Sequence, residues 1–249
     1  MGSLMGKKGL AILAKIAKTP KFTIGYWNIR GLGAPLRMML EYAGAAYVDE
    51  QYDAVDKGNG EYDKSGWFDV AKPPLKAKNA FTNLPYVVLN GRVVTQSTAV
   101  YVFVGQKLRM NGQGFDAVTA NNEVLAQAFD LRNATVGVCY GAKEKYPETS
   151  KKFLSETVPS HYTKFEEYLL QRGTAYFAGP KPCTGDFHVW ELIDQHEAMA
   201  KSGSLPSPIE AFPTLKAFHA TIKALPELQK YFESAAYKLP INNKMAAFK

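Results

Sequence analysis

The chain has 249 residues, of which 46% are hydrophobic and 21% charged, so it can bury the core of one large domain or two smaller ones. Its two cysteines, Cys139 and Cys183, exclude a disulfide scaffold and a thiolate metal site, and they favour a reducing, cytoplasmic location. No apolar run approaches the ~18 residues of a membrane span. The four histidines lack the spacing of metal ligands. No stripe of basic residues with interleaved aromatic residues indicates nucleic-acid binding.

Residues 1–20 look like an N-terminal extension. They contain four lysines and no acid, which accounts for more than half of the net charge of +7. The stretch LAILAKIAK has the pattern of a basic amphipathic helix, which can lie on a membrane surface. The favoured interpretation is a tail or a helix packed on its own domain, and membrane contact is the alternative.

Residues 21–107 begin with a predicted β-α-β unit. FTIGYW has the pattern of a strand, Pro35 suits the first turn of the helix that follows, and Gly44 suits its end. AYVDEQYDA is the second predicted strand. Residues 56–82 are rich in Gly, Lys, Asp and Pro, so we predict a long irregular segment there with at most one short helix.

A hairpin and a helix complete this part of the chain. Asn90-Gly91 between YVVL and RVVT is the strongest two-residue hairpin signal, and STAVYVFVGQKL follows as a helix. Residues 108–114 are predicted to be a linker. Residues 115–249 show no convincing strand, and amphipathic helices are predicted at 117–144, 149–171, 186–202, 213–223 and 226–236. The sequence therefore predicts an α/β domain followed by an all-helical domain.

Several stretches together resemble one known family. They are YWNIRGLGAPLRMMLEYAG, YDKSGW, NLPYVVLNG, TQSTAV, FDLRN with VCYG, and the closing KLPINNKMAAFK. In this order and spacing they are similar to the cytosolic glutathione transferases of the mu class, and the resemblance covers residues 22–249. It implies a thioredoxin-like N-terminal domain (βαβ-ββα), a homodimer, and conjugation of glutathione to small hydrophobic electrophiles in detoxification. Glutathione is then a co-substrate, and no metal or other cofactor is expected.

Two tyrosines are the candidate catalytic residues. Tyr26 ends the first strand, where its hydroxyl can face the crevice beyond the carboxyl edge of the sheet. A phenol O–H that donates to sulfur favours the nucleophilic thiolate, and the adjacent helix start also favours an anion. The resemblance gives Tyr26 this role toward glutathione. It gives Tyr140 a role at the electrophile. Without the surrounding motifs, a core position is the more common one for such a tyrosine.

The resemblance implies a set of glutathione contacts: Trp27, Leu32, Lys64, Trp67, Lys72, Asn83, Leu84, Pro85, Gln96, Ser97 and Asp130. A cis bond before Pro85 would expose the backbone of Leu84 to the cysteinyl backbone of glutathione, as in an added strand. Gln96 and Ser97 would hold the γ-glutamyl carboxylate, and Ser97 is also a natural N-cap. Asp130 would reach the glutathione of the neighbouring subunit.

Two features depart from the mu pattern at the glycine end of glutathione. Lys64 stands where the family has Arg, and Lys cannot form the bidentate fork with a carboxylate. The segment after Trp67 is three residues longer than usual, so Lys72 is only the nearest candidate for the family's glycine-end lysine. Both changes are compatible with weaker glutathione binding.

The electrophile pocket is predicted to include Ile29, Phe129, Val136 and Asn243 beside Tyr140. Phe129, Val136 and Tyr140 have the spacing i, i+7, i+11, and such helical stripes are more often part of a hydrophobic core.

Three further assignments follow from the resemblance. Phe81 would insert into the partner subunit, and Asp186 would cap a helix. Because Cys183 is a poor capping acceptor, Thr184 is the expected substitute.

Other functions remain open from the sequence. One is a binding protein of the same fold that sequesters glutathione or apolar ligands without turnover. Another is a scaffold docked through residues 1–20, and a glutathione-dependent isomerase is a variant within the enzyme class.

Overall fold

The computed structural model describes residues 21–249, and the predicted extension at residues 1–20 lies outside the described residues. The N-terminal part contains strands β1 (Phe22–Trp27), β2 (Tyr47–Tyr52), β3 (Val55–Asp56), β4 (Tyr62–Asp63), β5 (Tyr86–Leu89) and β6 (Arg92–Thr95), and helices α1 (Gly33–Tyr42), α2 (Lys72–Lys76) and α3 (Ser97–Leu108). The C-terminal part contains helices α4 (Gly114–Cys139), α5 (Tyr146–Lys152), α6 (Val158–Arg172), α7 (Thr184–Ser202), α8 (Pro213–Lys223) and α9 (Gln229–Glu233). No helix of the described part is long and apolar enough to cross a membrane.

The predicted fold class is confirmed. The main sheet has the strand order β2-β1-β5-β6, in which β1 and β2 are parallel and the other neighbours are antiparallel. The parallel pair needs the crossover helix α1, whereas β5 and β6 are joined by the tight turn at Asn90-Gly91, where both residues have positive φ. One hydrophobic core continues from the sheet into the helical part.

The segment at 56–82 is more regular than we predicted. It contains the small β3–β4 hairpin, a π-helical turn at Gly66–Ala71 and helix α2. Side chains of Asp56, Asn59 and Asp63 each accept the backbone N–H two residues further on, at 2.8 to 3.0 Å. These local turns supply the order that hydrophobic periodicity does not show.

Three helix predictions were wrong in their extent. The helix predicted to reach residue 144 ends at Cys139, because the backbone N–H of Ala247 donates to the Cys139 carbonyl at 2.8 Å and satisfies the last turn. The helix predicted at 149–171 is divided by a π-helical turn at Phe153–Thr157, just before Pro159, which lacks a backbone N–H. The helix predicted at 226–236 is a 3₁₀ turn followed by the short α9.

Asp186 has the predicted structural role at the start of α7. Its fully buried carboxylate accepts the backbone N–H of Cys183 at 2.7 Å and of Phe177 at 2.9 Å, and burial raises its pKa to about 7. The expectation that Thr184 replaces Cys183 as the cap was wrong, because Cys183 is itself the N-cap and takes part in the capping box with Asp186. The Thr184 hydroxyl lies within hydrogen-bond distance of the Met110 carbonyl and Asn111 instead.

A buried ion pair joins the two parts of the chain. Arg30, in the loop after β1, donates through Nε and Nη2 to both carboxylate oxygens of Glu191 on α7, at 3.1 and 2.8 Å. Arg30 is 6% exposed and Glu191 1%. The backbone N–H groups of Arg30 and Gly31 also donate to the carbonyls of Pro240 and Ile241. The loop after β1 is therefore fixed by both α7 and the C-terminal segment.

We predict that Arg30→Met lowers the free energy of unfolding by about 3–5 kcal/mol, because it leaves the Glu191 carboxylate buried without its partner. Arg172→Met is the matched control. Arg172 forms the same bidentate pair, but with the exposed Asp116, so its loss is screened by solvent and changes stability little. Urea denaturation measures the free energy of unfolding of the two variants, and an equal decrease in both would contradict the prediction.

Candidate functional site

A cavity of about 250 Å³ lies where the two parts of the chain meet. The loop after β1 forms one wall, α4 and α7 form the others, and the C-terminal segment closes one side. The lining residues are Tyr26, Trp27, Ile29, Gly31, Leu32, Arg132, Thr135, Val136, Tyr140, His188, Glu191, Leu192, Gln195, Asn242 and Asn243. Both predicted catalytic tyrosines face this one cavity.

Tyr26 is held in a close-fitting position at the end of β1. Its side chain is 6% exposed. A Cβ atom placed on Gly31 would lie 3.0 Å from the Tyr26 hydroxyl, and one on Gly33 would lie 3.0 Å from its ring. Gly31 also has a positive φ of 34°, which favours glycine. The two glycines of this loop leave the space that the Tyr26 ring occupies.

The electrostatic surroundings keep Tyr26 protonated at neutral pH. Burial raises the pKa of its phenol above the ordinary value, and this effect exceeds the opposing influence of the Arg132 charge, the Leu32 backbone N–H and the Arg37 charge. A neutral phenol in a cavity is a hydrogen-bond donor. Tyr26 can therefore donate its proton to an acceptor, such as an anionic sulfur.

Tyr140 follows the end of α4 and contacts the C-terminal segment. Its hydroxyl oxygen accepts the backbone N–H of Asn243 at 2.9 Å, and partial burial raises the pKa of the phenol. The hydroxyl proton remains free to be donated into the cavity. Tyr140 is thus a second neutral donor.

Three of the four predicted electrophile-pocket residues, Ile29, Val136 and Asn243, line the cavity. The prediction was wrong for Phe129, which does not line it and packs instead against His188, with ring centroids 4.7 Å apart, and Tyr101. Phe129 shares the helix face of Val136 but lies about 10 Å further along α4. The spacing identified the face but not where the cavity ends along it.

The first group of predicted glutathione-binding residues lies around Trp27 and Trp67. Trp27 and Leu32 line the cavity. Trp27 packs on Phe68, and the Lys72 ammonium lies 5.2 Å from the Phe68 ring centroid and 6.0 Å from that of Trp67. The Trp67 side chain is fully buried, and its indole N–H has no hydrogen-bond partner among the described residues. A buried unpaired donor of this kind is a candidate contact for a ligand acceptor.

A second group lies at the start of β5 and the end of β6. The Leu84–Pro85 peptide bond is cis, and no hydrogen bond of the described residues uses the Leu84 backbone N–H or carbonyl. The Thr95 hydroxyl contacts both the N–H and the carbonyl of Asn83. This arrangement leaves the Leu84 backbone available for pairing with an extended ligand.

The N-cap assignment at Ser97 was wrong. Ser97 is the first residue of α3, and the N-cap is Gln96, which has a φ of 72°. A non-glycine residue at positive φ stores strain, and such strain concentrates at functional sites. The Gln96 side-chain amide donates to the Phe81 carbonyl at 3.3 Å.

The remaining predicted residues do not line the cavity. Asp130 is exposed on α4, and its role toward a second subunit stays a prediction. Lys64 is half-buried, and its backbone carbonyl accepts the N–H of Trp67 at 3.1 Å. Phe81 is 75% exposed, as expected for a residue that inserts into a partner.

Sequence reasoning missed several polar residues of the cavity: Arg132, Thr135, His188, Glu191, Gln195 and Asn242. His188, Glu191 and Gln195 have the spacing i, i+3, i+7 on a helix that is buried along most of its length. Polar residues repeated on one face of an otherwise apolar helix were the available signal.

The chain matches known proteins over most of its length. A family model described as the glutathione S-transferase N-terminal domain matches residues 22–106, and one described as the C-terminal domain matches residues 129–235. The chain is 31% identical to glutathione S-transferase Mu 3 of Homo sapiens and 32% identical to glutathione S-transferase Mu 5 of Rattus norvegicus. Each alignment spans 224 residues and covers 90% of this chain and 93% of the relative.

Solved structures share the fold. The glutathione S-transferase Blo t 8 superposes with a TM-score of 0.76 at 22% identity, covering 91% of this chain and 99% of that one. The Pi-class glutathione S-transferase of Onchocerca volvulus gives a TM-score of 0.72 at 24% identity, covering 90% of this chain and 99% of that one.

We predict that Tyr140→Phe loosens the C-terminal segment at one position. Removing the hydroxyl leaves the Asn243 N–H without its acceptor, and its amide exchange should accelerate about three- to tenfold. The amide of Ala247 in the same segment, bonded to a backbone carbonyl, serves as the internal control. Hydrogen-exchange NMR measures both, and equal acceleration at the two amides would contradict a local effect.

Proposed function

The chain belongs to the glutathione S-transferase family, and we propose that it conjugates reduced glutathione to small hydrophobic electrophiles with Tyr26 as the residue that stabilises the thiolate. The mu class is the proposed class, supported by about 31% identity to mu relatives over 90% of the chain. Two free, buried cysteines fit a reducing, cytoplasmic location.

One observation carries this proposal. The Tyr26 phenol is buried and neutral, and it lies in a cavity formed between the N-terminal sheet and the helical part. A thiol has an ordinary pKa near ~8.5. A hydrogen bond donated to sulfur stabilises the charged form, so more thiolate is present at neutral pH.

The glutathione backbone would lie beside Leu84, just before β5, pairing with its free N–H and carbonyl. The γ-glutamyl carboxylate would contact Gln96 and Ser97, at the start of α3, where the helix dipole favours an anion. At the glycine end, the unpaired indole N–H of Trp67 and the ammonium of Lys72 would hold the second carboxylate. With these contacts, the cysteinyl sulfur would lie toward Tyr26.

The chemical step is then an attack by the thiolate on an electrophile in the cavity. A new carbon–sulfur bond forms, and either a leaving group departs or electrons move onto the electrophile. Ile29, Val136 and Leu192 give the cavity apolar walls. Tyr140 can donate its hydroxyl proton to an oxygen that gains charge, because that proton is not used in its contact with Asn243.

A homodimer is part of the proposal. The exposed Phe81 needs an apolar partner surface. A groove of about 220 Å³ between α4 and α6 is of a size to accept its ring in a second copy, with lining residues Glu123, Val124, Gln127, Lys164, Phe165 and Tyr168. Asp130 lies on α4, so the same contact would bring its carboxylate toward the glutathione of the other subunit.

We predict that Tyr26→Phe lowers the rate of glutathione conjugation to 1-chloro-2,4-dinitrobenzene roughly 100-fold, because the bound thiol loses the hydrogen bond that stabilises its thiolate. Glutathione affinity should change little, since the other contacts remain. Initial rates and calorimetric binding measure the two quantities. An intact protein that binds glutathione but conjugates no electrophile would overturn the transferase proposal in favour of a binding protein.

We predict that Phe81→Ser shifts the protein from dimer to monomer and raises the dimer dissociation constant at least tenfold, as expected for the loss of a buried aromatic anchor. Phe115→Ser is the matched control, because Phe115 is also an exposed phenylalanine, at 89%, but is not one of the residues that line the groove. Sedimentation velocity measures the dimer dissociation constant of both variants. A wild-type monomer, or equal effects of the two substitutions, would contradict the proposed contact.

A further inference from the structure

Two tyrosines reach toward each other across the first strand of the sheet. Tyr52 ends β2 and Tyr86 begins β5, and β1 lies between these two strands. Their hydroxyl oxygens are 2.7 Å apart, which is a hydrogen-bond distance. Gly25 of β1 pairs with Tyr86 in the sheet, and a Cβ atom placed on Gly25 would overlap the Tyr86 ring. The glycine therefore leaves the space that the Tyr86 ring needs to cross the strand.

The Trp67 indole packs on both tyrosines. Its ring is nearly parallel to that of Tyr86, with an interplanar angle of 13° and a centroid distance of 5.8 Å. The centroid of the Tyr52 ring lies 5.1 Å from the indole. Trp67 is fully buried and Tyr86 is 3% exposed. Because aromatic pairs at these distances stabilise each other beyond the area that they bury, the two tyrosines fix the position of the indole.

The polar atoms of these three rings differ in their partners. The Tyr52 and Tyr86 hydroxyls bond to each other, and burial raises the pKa of both phenols, so this bond persists at neutral pH. The indole N–H of Trp67 has no partner among the described residues. A buried unpaired donor costs about 1–3 kcal/mol. The tyrosines thus hold in place a donor that the described part of the chain does not use.

The backbone that carries Trp67 has an uncommon form. Gly66–Ala71 is a π-helical turn, and such turns are rare and occur frequently at functional sites. Lys72 follows directly, and its ammonium lies 6.0 Å from the Trp67 ring centroid. The indole N–H and the ammonium are thus close enough to serve one carboxylate.

We propose that Tyr52 and Tyr86 are positioning residues that hold Trp67 toward the glycine carboxylate, so that the protein prefers glutathione to γ-glutamylcysteine, a thiol without the glycine. This inference rests on the proposed transferase function. Neither tyrosine lines the cavity that contains Tyr26. Their effect is therefore on the choice of thiol and not on the electrophile.

The geometry of β1 separates this role from the activation of sulfur. Successive residues of a strand face opposite sides of the sheet. Gly25 faces the Tyr86 ring, so Tyr26 faces the other way. A change at Tyr86 or Tyr52 therefore weakens the hold on the glycine end and leaves the hydrogen bond from Tyr26 to sulfur in place.

The test measures kcat and KM for glutathione and for γ-glutamylcysteine, with 1-chloro-2,4-dinitrobenzene and the full-length protein. Tyr86→Leu and Tyr52→Leu each remove one ring that supports the indole. We expect the ratio of kcat/KM for glutathione to kcat/KM for γ-glutamylcysteine to fall at least fivefold, because a misplaced donor binds the carboxylate less well. The kcat for glutathione should change less than twofold, since the loss is in binding.

Three further variants serve as controls. Tyr86→Phe and Tyr52→Phe keep the rings and lose only the hydroxyl pair, so they should retain most of the preference for glutathione. Tyr176→Leu changes a buried tyrosine of the helical part, and the ratio should not change.

A double substitution shows whether the tyrosines act through Trp67. Trp67→Phe removes the N–H and should lower the ratio by itself. Tyr86→Leu added to Trp67→Phe should then lower the ratio no further, because two changes in one chain of contacts are not additive. An additional fall as large as that of Tyr86→Leu alone would overturn the positioning role.

Other outcomes separate this inference from the proposed function. Wild-type protein that conjugates neither thiol contradicts the transferase proposal itself. Wild-type activity without a preference for glutathione, or with a ratio unchanged in Tyr86→Leu and Tyr52→Leu, overturns the inference, because a loss of folded protein would lower both rates together. If the buried substitution Tyr86→Leu does not fold, Tyr52→Leu decides the question, since Tyr52 is only half-buried.

Discussion

The buried pair between Arg30 and Glu191 is the constraint on which the site depends. It joins the loop after β1 to helix α7 in the interior, where separating the two charges is costly. Arg37 supports the same loop from the other side, since its guanidinium donates to the Ile29 carbonyl at 2.9 Å and pairs with Asp49. Tyr26 is the last but one residue of β1, just before this loop, and the cavity opens beside it. A site whose two halves come from different parts of the chain needs such a junction to keep their geometry.

The electrostatics of the cavity follow from burial. Tyr26 and Tyr140 are kept as neutral donors, and His188 is kept as a neutral imidazole, because charged forms are disfavoured away from water. Within the described part of the chain, Arg132 is the cation that lines the cavity; its guanidinium donates to the Asn133 side chain at 3.2 Å and pairs with no carboxylate. A cavity with neutral donors and one unpaired cation favours ligands that carry or develop negative charge. The proposed thiolate meets this condition.

Local patterns in the sequence were enough for the fold and for part of the site. The strand that contains Tyr26 and the Asn90-Gly91 hairpin follow from short-range rules, so they could be predicted. The length of α4 could not, because it depends on the contact of Ala247 with Cys139, two residues far apart in the chain. Phe129 was misplaced because periodicity identifies a helix face and not the depth of a cavity. His188 and Arg132 were missed because their place in the cavity wall depends on how α4 and α7 pack together.

The most direct test of the central claim is an ultraviolet pH titration of the glutathione complex, which follows the absorbance of the thiolate. The account predicts that the bound thiol titrates at least one unit below the ordinary thiol pKa near ~8.5, and that Tyr26→Phe moves it back toward that value. A bound thiol that titrates as it does in free glutathione, in a protein that clearly binds glutathione, would contradict the role of Tyr26.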